Sequence, residues 1–301
     1  MSSENPNWAV ISSVQDCRRP DPESNEDALF ITATDDTIVA AVFDGATAIA
    51  KIPYFEDLGI SPGKMAAQLA RTTLGGLPIA LSPRNAVPKI DQAFAHHAEQ
   101  LPIDTNLMKV LFSCMALIVK ISRHEKMLDY AYVGDCNLVI NRKRDLSWLS
   151  QNNVLPFERR EVQAALQVHR ETGLSMAQTL DNPTVQAIIA THRLLENSPL
   201  GTGYGALKGD STGDISLYMQ TGSVEIQACD TLYLFTDGSL LSVLDNESML
   251  HHVRTGLLSA GIIGLVSRTR QLEEADPNLT TYPRLKKHDD IAAIEVKLTN
   301  L

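Results

Sequence analysis

The sequence has few cysteines and no excess of positive charge, and each shortage excludes a class of function. Cys17, Cys114, Cys136 and Cys229 are spread along 301 residues and form no Cys-x-x-Cys pair. This spacing excludes a disulfide framework or a cysteine-based zinc site, and it is typical of reduced thiols in the cytosol. The formal net charge of -10 argues against binding to a nucleic-acid backbone, which requires clustered lysines and arginines.

The sequence also lacks the features of a targeting signal or a membrane span. Residues Met1 to Asn7 contain neither the basic start nor the apolar stretch of a secretory peptide. No apolar run is long enough to cross a bilayer. We therefore expect a cytoplasmic protein with no membrane and no nucleic acid among its partners. The composition, 44% hydrophobic and 21% charged, leaves ample material for a core.

Acidic residues form four short clusters, each where an apolar, strand-like run meets a loop. The clusters are Asn25-Glu26-Asp27, Asp44-Gly45, Asp237-Gly238 and Asp289-Asp290. A carboxylate at a strand end is costly to bury without a positive partner, and no lysine or arginine adjoins Asp44 or Asp237 in sequence. Oxygen donors gathered from distant segments favour a site for Mn²⁺ or Mg²⁺. Lys286 and Lys287 precede Asp289, so an ion pair is the alternative there.

Single clusters of this kind have simpler interpretations. Asp-Gly after a strand is a common turn signal, and the polar segment Thr34 to Thr37 predicts a hairpin turn. Two histidine pairs, His96-His97 and His251-His252, raise the alternative of a His-ligated hydrolase. Neither pair has the spacing of a zinc motif, which favours surface positions on helices. The basic run Arg284 to His288 is interpreted as a solvated loop rather than a patch that steers phosphopeptides.

Hydrophobic periodicity predicts an α+β chain in which strands and helices alternate in groups. Helices are expected from Pro62 and over 90–100, 240–254 and 257–272, and strands near 111–121, 128–133, 137–141, 215–219, 224–226 and 232–236. The segment 156–195 is predicted as a helical insert. Strands paired with helices in this order favour a sandwich of two packed antiparallel sheets flanked by helices, as a single domain over residues 1–301.

The order and setting of the acidic clusters resemble those of the metal-dependent serine/threonine protein phosphatases, the PPM or type 2C family. The matching motifs run over nearly the whole chain and are Asn25-Glu26-Asp27, Val42-Phe43-Asp44-Gly45, Tyr132-Val133-Gly134-Asp135-Cys136, Leu234-Phe235-Thr236-Asp237-Gly238 and His288-Asp289-Asp290-Ile291. The segment Gly203 to Gly209 is similar to bacterial members. This resemblance implies a four-layer sandwich that holds two divalent ions, with a third as a further option.

The resemblance implies that Asp44 and Asp237 are the catalytic residues, because they hold the ions that act on the phosphate. Asp44 would bridge both ions, and the carbonyl group of Gly45 would help to hold one of them. Asp237 and Asp289 would ligate the other ion. The ions would be Mn²⁺ or Mg²⁺, and they would activate a water for in-line attack on phosphorus.

Four further acidic residues receive supporting roles from the same resemblance. Glu26 and Asp27 would order waters around the second ion. Asp135 resembles the ligand of a weaker third ion, and capping the Gly-Asp turn is its alternative role. Asp290 would orient its neighbour in sequence.

The chain departs from the family pattern where the substrate phosphate would bind. Pro22 stands at the usual position of an arginine, and Arg18 and Arg19 are the nearby candidates to replace it. Ala46 follows the first Asp-Gly, where many members carry a histidine, so that a water would have to protonate the leaving group. Cys136 replaces the usual serine.

These observations predict a cytoplasmic metal-dependent phosphatase that hydrolyses phosphoserine or phosphothreonine in proteins. Its partners would be a phosphorylated protein substrate and the serine/threonine kinase that it opposes. The alternative is a catalytically weak PPM-like domain that binds a phosphoprotein or another partner and regulates it. Pro22 and Ala46 are the residues that favour this alternative.

Overall fold

Two five-stranded sheets form the centre of the molecule. The computed structural model describes residues 7–18, 24–47, 52–104, 112–209, 214–241 and 244–301. Within these ranges the strands are β1 Ala9–Asp16, β2 Ala28–Ala33, β3 Thr37–Gly45, β4 Cys114–Ser122, β5 Met127–Val133, β6 Asn137–Arg142, β7 Asp145–Trp148, β8 Gln220–Glu225, β9 Thr231–Phe235 and β10 Ile291–Leu298. Sheet 1 has the order β1-β10-β9-β6-β7, sheet 2 has the order β2-β3-β4-β5-β8, and neighbouring strands are antiparallel.

Strand β3 shows why the sheets pack as inner layers. Its residues Ala40 and Val42 face the other sheet, whereas Ala41 and Phe43 face the helices. All four side chains are fully buried. Because successive side chains of a strand point to opposite faces, a strand that is apolar at every position must be covered on both sides.

Helices cover the outer face of each sheet and complete four layers. On sheet 2 lie α1 Pro53–Leu58, α2 Pro62–Gly76 and α3 Pro83–Gln100. Helix α2 begins at Pro62, whose missing N–H is not required in a first turn, and the Ser61 hydroxyl accepts a hydrogen bond from the Lys64 backbone at 3.2 Å. The predicted α+β sandwich of two antiparallel sheets flanked by helices is confirmed.

A group of helices lies between β7 and β8. It comprises α4 Leu155–Thr172, α5 Met176–Thr179 and α6 Pro183–Arg193, within the range where the sequence predicts a helical insert. These helices share a small core that contains Ala165, Val168, Met176 and Val185, and Leu279 from the C-terminal part of the chain joins it. We refer to α4, α5 and α6 together as the insert.

Helix α7, Asn246–Ala275, covers sheet 1. Two helices were predicted here, and two are present within α7, because the backbone is not helical at Ala260 and at Gly261, which has a φ of 63°. The two halves fold back on each other, since His252 Nε2 in the first lies 2.9 Å from the Thr269 hydroxyl in the second. By length and composition alone α7 resembles a helix that crosses a bilayer, since its most apolar window has a mean hydropathy of 1.3, but the break at Ala260 and Gly261 divides it into two shorter helices. Of that window 44% is buried, and Val253 and Leu265 pack against sheet 1.

One local prediction is wrong, and one turn has a role that the sequence did not show. The segment 215–219 was expected to be a strand, but Ile215–Leu217 forms a short 3-10 helix in which only Ile215 is buried and Leu217 is 66% exposed. The turn at Gly134-Asp135 joins β5 to β6, as expected, but these strands belong to different sheets. The turn therefore carries the chain across the sandwich and places Asp135 between the two sheet edges.

Candidate metal centre

One end of the sandwich brings strand ends from both sheets together. Asp44 is the penultimate residue of β3 in sheet 2, and Asp237 follows β9 in sheet 1. Both residues line a cavity of about 740 Å³, together with Asp135 and Asp289. The strand ends that the sequence marks with acids thus converge on one cavity.

Two glycines allow this convergence because their neighbours leave no room for a side chain. A Cβ on Gly45 would lie 2.5 Å from the carbonyl oxygen of Gly63 and would also meet that of Glu26. A Cβ on Gly238 would meet the carbonyl oxygen of Asp290. The Asp-Gly pairs are therefore more than turn signals, since each glycine permits a close approach of two backbone segments.

The first acidic motif is tied to the fourth and to sheet 1 by hydrogen bonds. The backbone N–H of Glu26 donates to Asp290 Oδ2 at 2.8 Å. The Thr236 hydroxyl donates to Asp27 Oδ2 at 2.7 Å. Glu26, Asp27 and Asp290 are all buried. These bonds hold the acidic side chains in place, as expected for groups that support a metal site.

Three carboxyl groups lie close together beside Asp44. One oxygen each of Asp135, Glu158 and Asp237 lie within 4.8 Å of one another. Asp135 is 4% exposed, and its Oδ1 has no hydrogen-bond partner in the described part of the chain. A buried carboxylate oxygen without a donor is the kind of atom that a cation would satisfy.

Glu158 was missed by the sequence analysis. It lies in the first turn of α4, the long helix of the insert, and it lines the cavity that contains Asp44. No motif surrounds it, because its neighbours in sequence belong to a polar amphipathic helix. Nothing in its local sequence distinguishes it from the other charged residues of that helix.

Burial and mutual repulsion raise the pKa of the clustered carboxyl groups. Burial raises the pKa of Asp44 well above its usual range, and the nearby charges of Asp27 and Asp237 raise it further. Burial raises the pKa of Asp237, as does the charge of Asp289, whereas hydrogen bonds from Asp44 and Glu158 act in the opposite direction. So many acids at one place require either bound protons or a cation.

The same causes act on the two carboxyl groups beside Asp237. Burial raises the pKa of Asp135, and the charge of Asp237 raises it further. Burial and then Asp237 also raise the pKa of Glu158. The donor set consists of carboxylate oxygens, which fit Mg²⁺ or Mn²⁺ in charge and in chemistry.

Lys286 forms an ion pair with Asp289, the alternative that the sequence left open for the Asp289-Asp290 cluster. Its Nζ lies 2.6 Å from Asp289 Oδ1. Burial acts to lower the pKa of Lys286, but the charges of Asp289 and Glu26 raise it above the ordinary value. Arg270 Nη2 donates to the Asp289 carbonyl oxygen at 2.7 Å. Asp289 is therefore held from both its side chain and its backbone.

Other sequence-based assignments differ from the structure. Arg18 pairs with Asp16 at 3.4 Å and with Glu274 at 3.5 Å, and it does not line the cavity. Arg19 and Pro22 lie outside the described residues. His252 is buried rather than on the surface, and its Nε2 lies 2.9 Å from the Thr269 hydroxyl.

The basic run Arg284 to His288 is not a solvated loop. Arg284 is 8% exposed, and its guanidinium group donates to Asp276 and to four surrounding backbone carbonyl groups. His288 Nδ1 lies 2.9 Å from Glu273 Oε2. The run is instead a structural segment that fixes the chain just before Asp289.

Comparison with solved structures gives the fold an independent reference. Neither protein-family models nor curated proteins match the sequence. Among solved structures, the chain is similar to a serine/threonine phosphatase of S. agalactiae with a TM-score of 0.56 and 14% identity over 97% of this chain and 100% of the other. It is similar to RsbX in complex with magnesium with a TM-score of 0.54 and 13% identity over 98% of each chain.

A third similar structure is the catalytic domain of the phosphatase PstP in complex with two manganese ions. It has a TM-score of 0.51 and 14% identity over 97% of this chain and 99% of the other. At these identities the likeness concerns the fold. The chain therefore has the fold of the PPM-type serine/threonine phosphatases, as the resemblance of its motifs predicts.

Proposed function

We propose that this chain belongs to the PPM family and is a metal-dependent phosphatase that hydrolyses phosphoserine and phosphothreonine in proteins. The observation that supports it most is the convergence of Asp44, Asp135, Asp237 and Asp289 on one cavity at the end of a PPM-type sandwich. These residues come from distant parts of the chain and have little reason to meet, except to hold a cation that offsets their repulsion.

The residues that would hold the ions are those at the strand ends. Asp44 would bridge two Mn²⁺ or Mg²⁺ ions, with the carbonyl group of Gly45 on one and Asp237 and Asp289 on the other. Glu26 and Asp27 would order the surrounding water, and Asp135 would be a ligand of a third ion. When bound, the ions would supply an activated water and neutralise the charge of the phosphoryl oxygens.

The protein's own groups would keep this arrangement rigid. The Thr236 hydroxyl orients Asp27, and the Asp290 carboxylate holds the backbone of Glu26. Ala46 has no group that can donate a proton, so the leaving oxygen of the substrate would take its proton from water. The leaving group of phosphoserine or phosphothreonine is the side-chain alkoxide, and it needs this proton to become the hydroxyl group of the product.

Hydrolysis of p-nitrophenyl phosphate with added Mn²⁺ tests the proposal. We expect turnover by the wild type that falls by more than about 100-fold in Asp44→Ala and Asp237→Ala, since even the outer partners of metal ligands are worth roughly 10- to 100-fold. Asp35→Ala, in the exposed hairpin turn between β2 and β3, is the matched control and should retain activity. A phosphorylated serine peptide should also be hydrolysed.

The absence of turnover over a range of metals and pH would overturn the enzymatic proposal. The remaining candidate would then be a PPM-like domain that binds a phosphoprotein or another partner and regulates it. The ion pair between Lys286 and Asp289 favours this candidate, because the ammonium group already balances one of the acids. The two proposals differ in whether Mn²⁺ gives turnover.

The cellular setting follows from the proposed substrate. A phosphatase for phosphoserine and phosphothreonine would act in signalling, opposite a serine/threonine kinase. We propose a cytoplasmic location, in keeping with thiols at Cys114 and Cys136 that are buried and unpaired with another cysteine.

A further inference from the structure

The cavity beside the acidic cluster requires a cationic donor for the substrate. A phosphoryl group carries negative charge, and the wall that it would approach contains Asp44, Asp135, Glu158, Asp237 and Asp289. Bound metal offsets part of the repulsion, but the outer phosphoryl oxygens also need hydrogen-bond donors. Among the described residues that line the cavity, the cationic side chains are those of Arg193, Arg284 and Lys286.

Two of these three cations already have their partners within the protein. Arg284 uses each of its five N–H groups, on Asp276 and on backbone carbonyl groups at 2.8 to 3.2 Å. Lys286 pairs with the carboxylate of Asp289 at 2.6 Å, so its charge is balanced by a residue of the acidic cluster itself. Arg284 has no donor left, and the charge of Lys286 is directed at the acidic cluster, where Asp289, Glu26 and Asp44 all raise its pKa.

Arg193, at the end of α6 in the insert, differs from both. Its Nη1 donates to Glu196 Oε1 at 2.8 Å, and its Nη2 donates to the carbonyl oxygen of Thr47 at 3.1 Å. These are the hydrogen bonds that the described residues give it, and they leave three of its five N–H groups for another acceptor. The side chain is 14% exposed, and the residue lines the cavity that contains Asp44.

The charge of Arg193 is also not fully balanced by Glu196. Lys208 Nζ lies 3.7 Å from the other oxygen of the same carboxylate, and that carboxylate is buried. Glu196 therefore shares its single negative charge between two cations. Glu161 also raises the pKa of Arg193, but its carboxylate is hydrogen-bonded to His192 Nδ1 at 2.7 Å. The contact with Thr47 fixes the guanidinium group three residues beyond Asp44, next to the strand end where the phosphate would be attacked.

We propose that Arg193 of the insert binds the phosphoryl group of the substrate. This inference rests on the proposed phosphatase function, and it assigns to α6 the role for which the sequence suggested Arg18 or Arg19. Arg18 pairs with Asp16 and Glu274 outside the cavity. A planar guanidinium group held by two hydrogen bonds can present the remaining donors to two phosphoryl oxygens at once.

The test compares Arg193→Gln and Arg193→Lys with the wild type. Inorganic phosphate serves as the probe, through its inhibition constant against p-nitrophenyl phosphate and through direct titration into the Mn²⁺-loaded protein. We expect Arg193→Gln to raise both the KM and the phosphate constants by about 10- to 100-fold, because hydrogen bonds to charged groups are lost. Arg193→Lys should recover part of this loss, since it keeps the charge but not the planar pair of donors.

Two controls separate binding of phosphate from a structural role. The affinity for Mn²⁺ in the absence of phosphate should be unchanged in both variants, whereas a collapsed site would lose it. Arg170→Gln changes an exposed arginine of α4 in the same insert and should leave every constant unchanged. If Arg193→Gln does not fold, the phosphate constants of Arg193→Lys are compared with those of the wild type instead.

Unchanged phosphate constants in a variant that binds Mn²⁺ normally would overturn the inference. Loss that merely follows the affinity for Mn²⁺ would overturn it as well. If the wild type binds Mn²⁺ but has no turnover, the enzymatic proposal fails while direct titration of phosphate still tests Arg193. If the Mn²⁺-loaded wild type binds no phosphate, the inference is wrong.

Discussion

Individual residues at the acidic end of the sandwich show which parts of the site a sequence can reveal. Asp44 and Asp237 stand out because each follows a continuous apolar run and precedes a glycine. That pattern carries physical information, since the strand is buried and the glycine has no room for a Cβ. Glu158 carries no such pattern, and only folding of the insert brings it within 4.8 Å of Asp135 and Asp237.

Gly45 provides a residue-level test of the close approach at the end of β3. In Gly45→Ala the new methyl group would collide with the backbone of Gly63 at the start of α2, so we expect the free energy of unfolding to fall by roughly 1–3 kcal/mol, as in overpacked cores. Gly76→Ala is the matched control, because nothing lies within 4 Å of a Cβ there. Urea unfolding of both variants measures the difference, and equal stabilities would contradict the packing described here.

His252 provides a second residue-level test, through the pH dependence of stability. Burial, with the charge of Arg268, lowers the pKa of His252 from 6.5 to about 4. The unfolded chain therefore takes up a proton below pH 6.5, whereas the folded protein does so only near pH 4. Stability from the neutral imidazole is present above pH 6.5 and is lost as the pH falls toward 4.

The expected size of this effect follows from the shift in pKa. Between pH 7 and pH 5, the wild type should lose about 2 kcal/mol more stability than His252→Gln does. His251→Gln, at the exposed neighbouring position, should behave like the wild type. Urea unfolding of the three proteins at both pH values isolates the contribution of His252 from that of the carboxyl groups. Parallel losses in all three would show that His252 does not have the lowered pKa.

Among the secondary-structure elements, the sequence predicts best those whose two faces are both buried. Strand β3 and strand β9 were evident because they are apolar at nearly every position. The segment 215–219 also reads as a strand, but Leu217 is exposed and the chain turns instead. The two helices predicted within α7 are present, because each half has its own buried face and the chain reverses at Ala260 and Gly261.

The insert is the element whose role was least evident from the sequence. Its helices contribute Glu158 and Arg193 to the cavity, and Arg159 Nη2 donates to the Leu244 carbonyl oxygen at 2.6 Å. These contacts connect the insert to the ends of both sheets. Polar amphipathic helices give no local sign of such contacts, because a charged residue facing solvent and one facing a site look alike in sequence.

Glu158→Gln tests whether the insert takes part in binding metal. The change keeps the shape of the side chain and removes its charge, so we expect the affinity for Mn²⁺ to fall by roughly 10- to 100-fold. Glu171→Gln, an exposed position on the same helix, is the control. Calorimetric titration of Mn²⁺ into the metal-free proteins measures the change. Identical titration curves for the two variants would show that Glu158 is only a neighbour of the site.

At the scale of the whole molecule, the fold was predictable because a sandwich follows from the order of its strands and helices. Two sheets with helices outside them are the arrangement that buries every apolar face of these elements. The crossing at Gly134-Asp135 is equally important for the site, since it moves the chain from sheet 2 to sheet 1. It brings Asp135 to the place where β3 and β9 end, so the site depends on the packing of both sheets.

Anomalous diffraction at the manganese absorption edge, from crystals soaked in Mn²⁺, tests most directly whether this end of the sandwich is a metal centre. We predict anomalous peaks at about 2.0–2.3 Å from carboxylate oxygens of Asp44 and Asp237, close to the usual distances for divalent ions bound by oxygen. Crystals of Asp44→Asn that are soaked in the same way should lack at least one of the peaks seen with the wild type. An acidic cavity without any peak, in crystals of the wild type that have taken up Mn²⁺ elsewhere, would contradict the account.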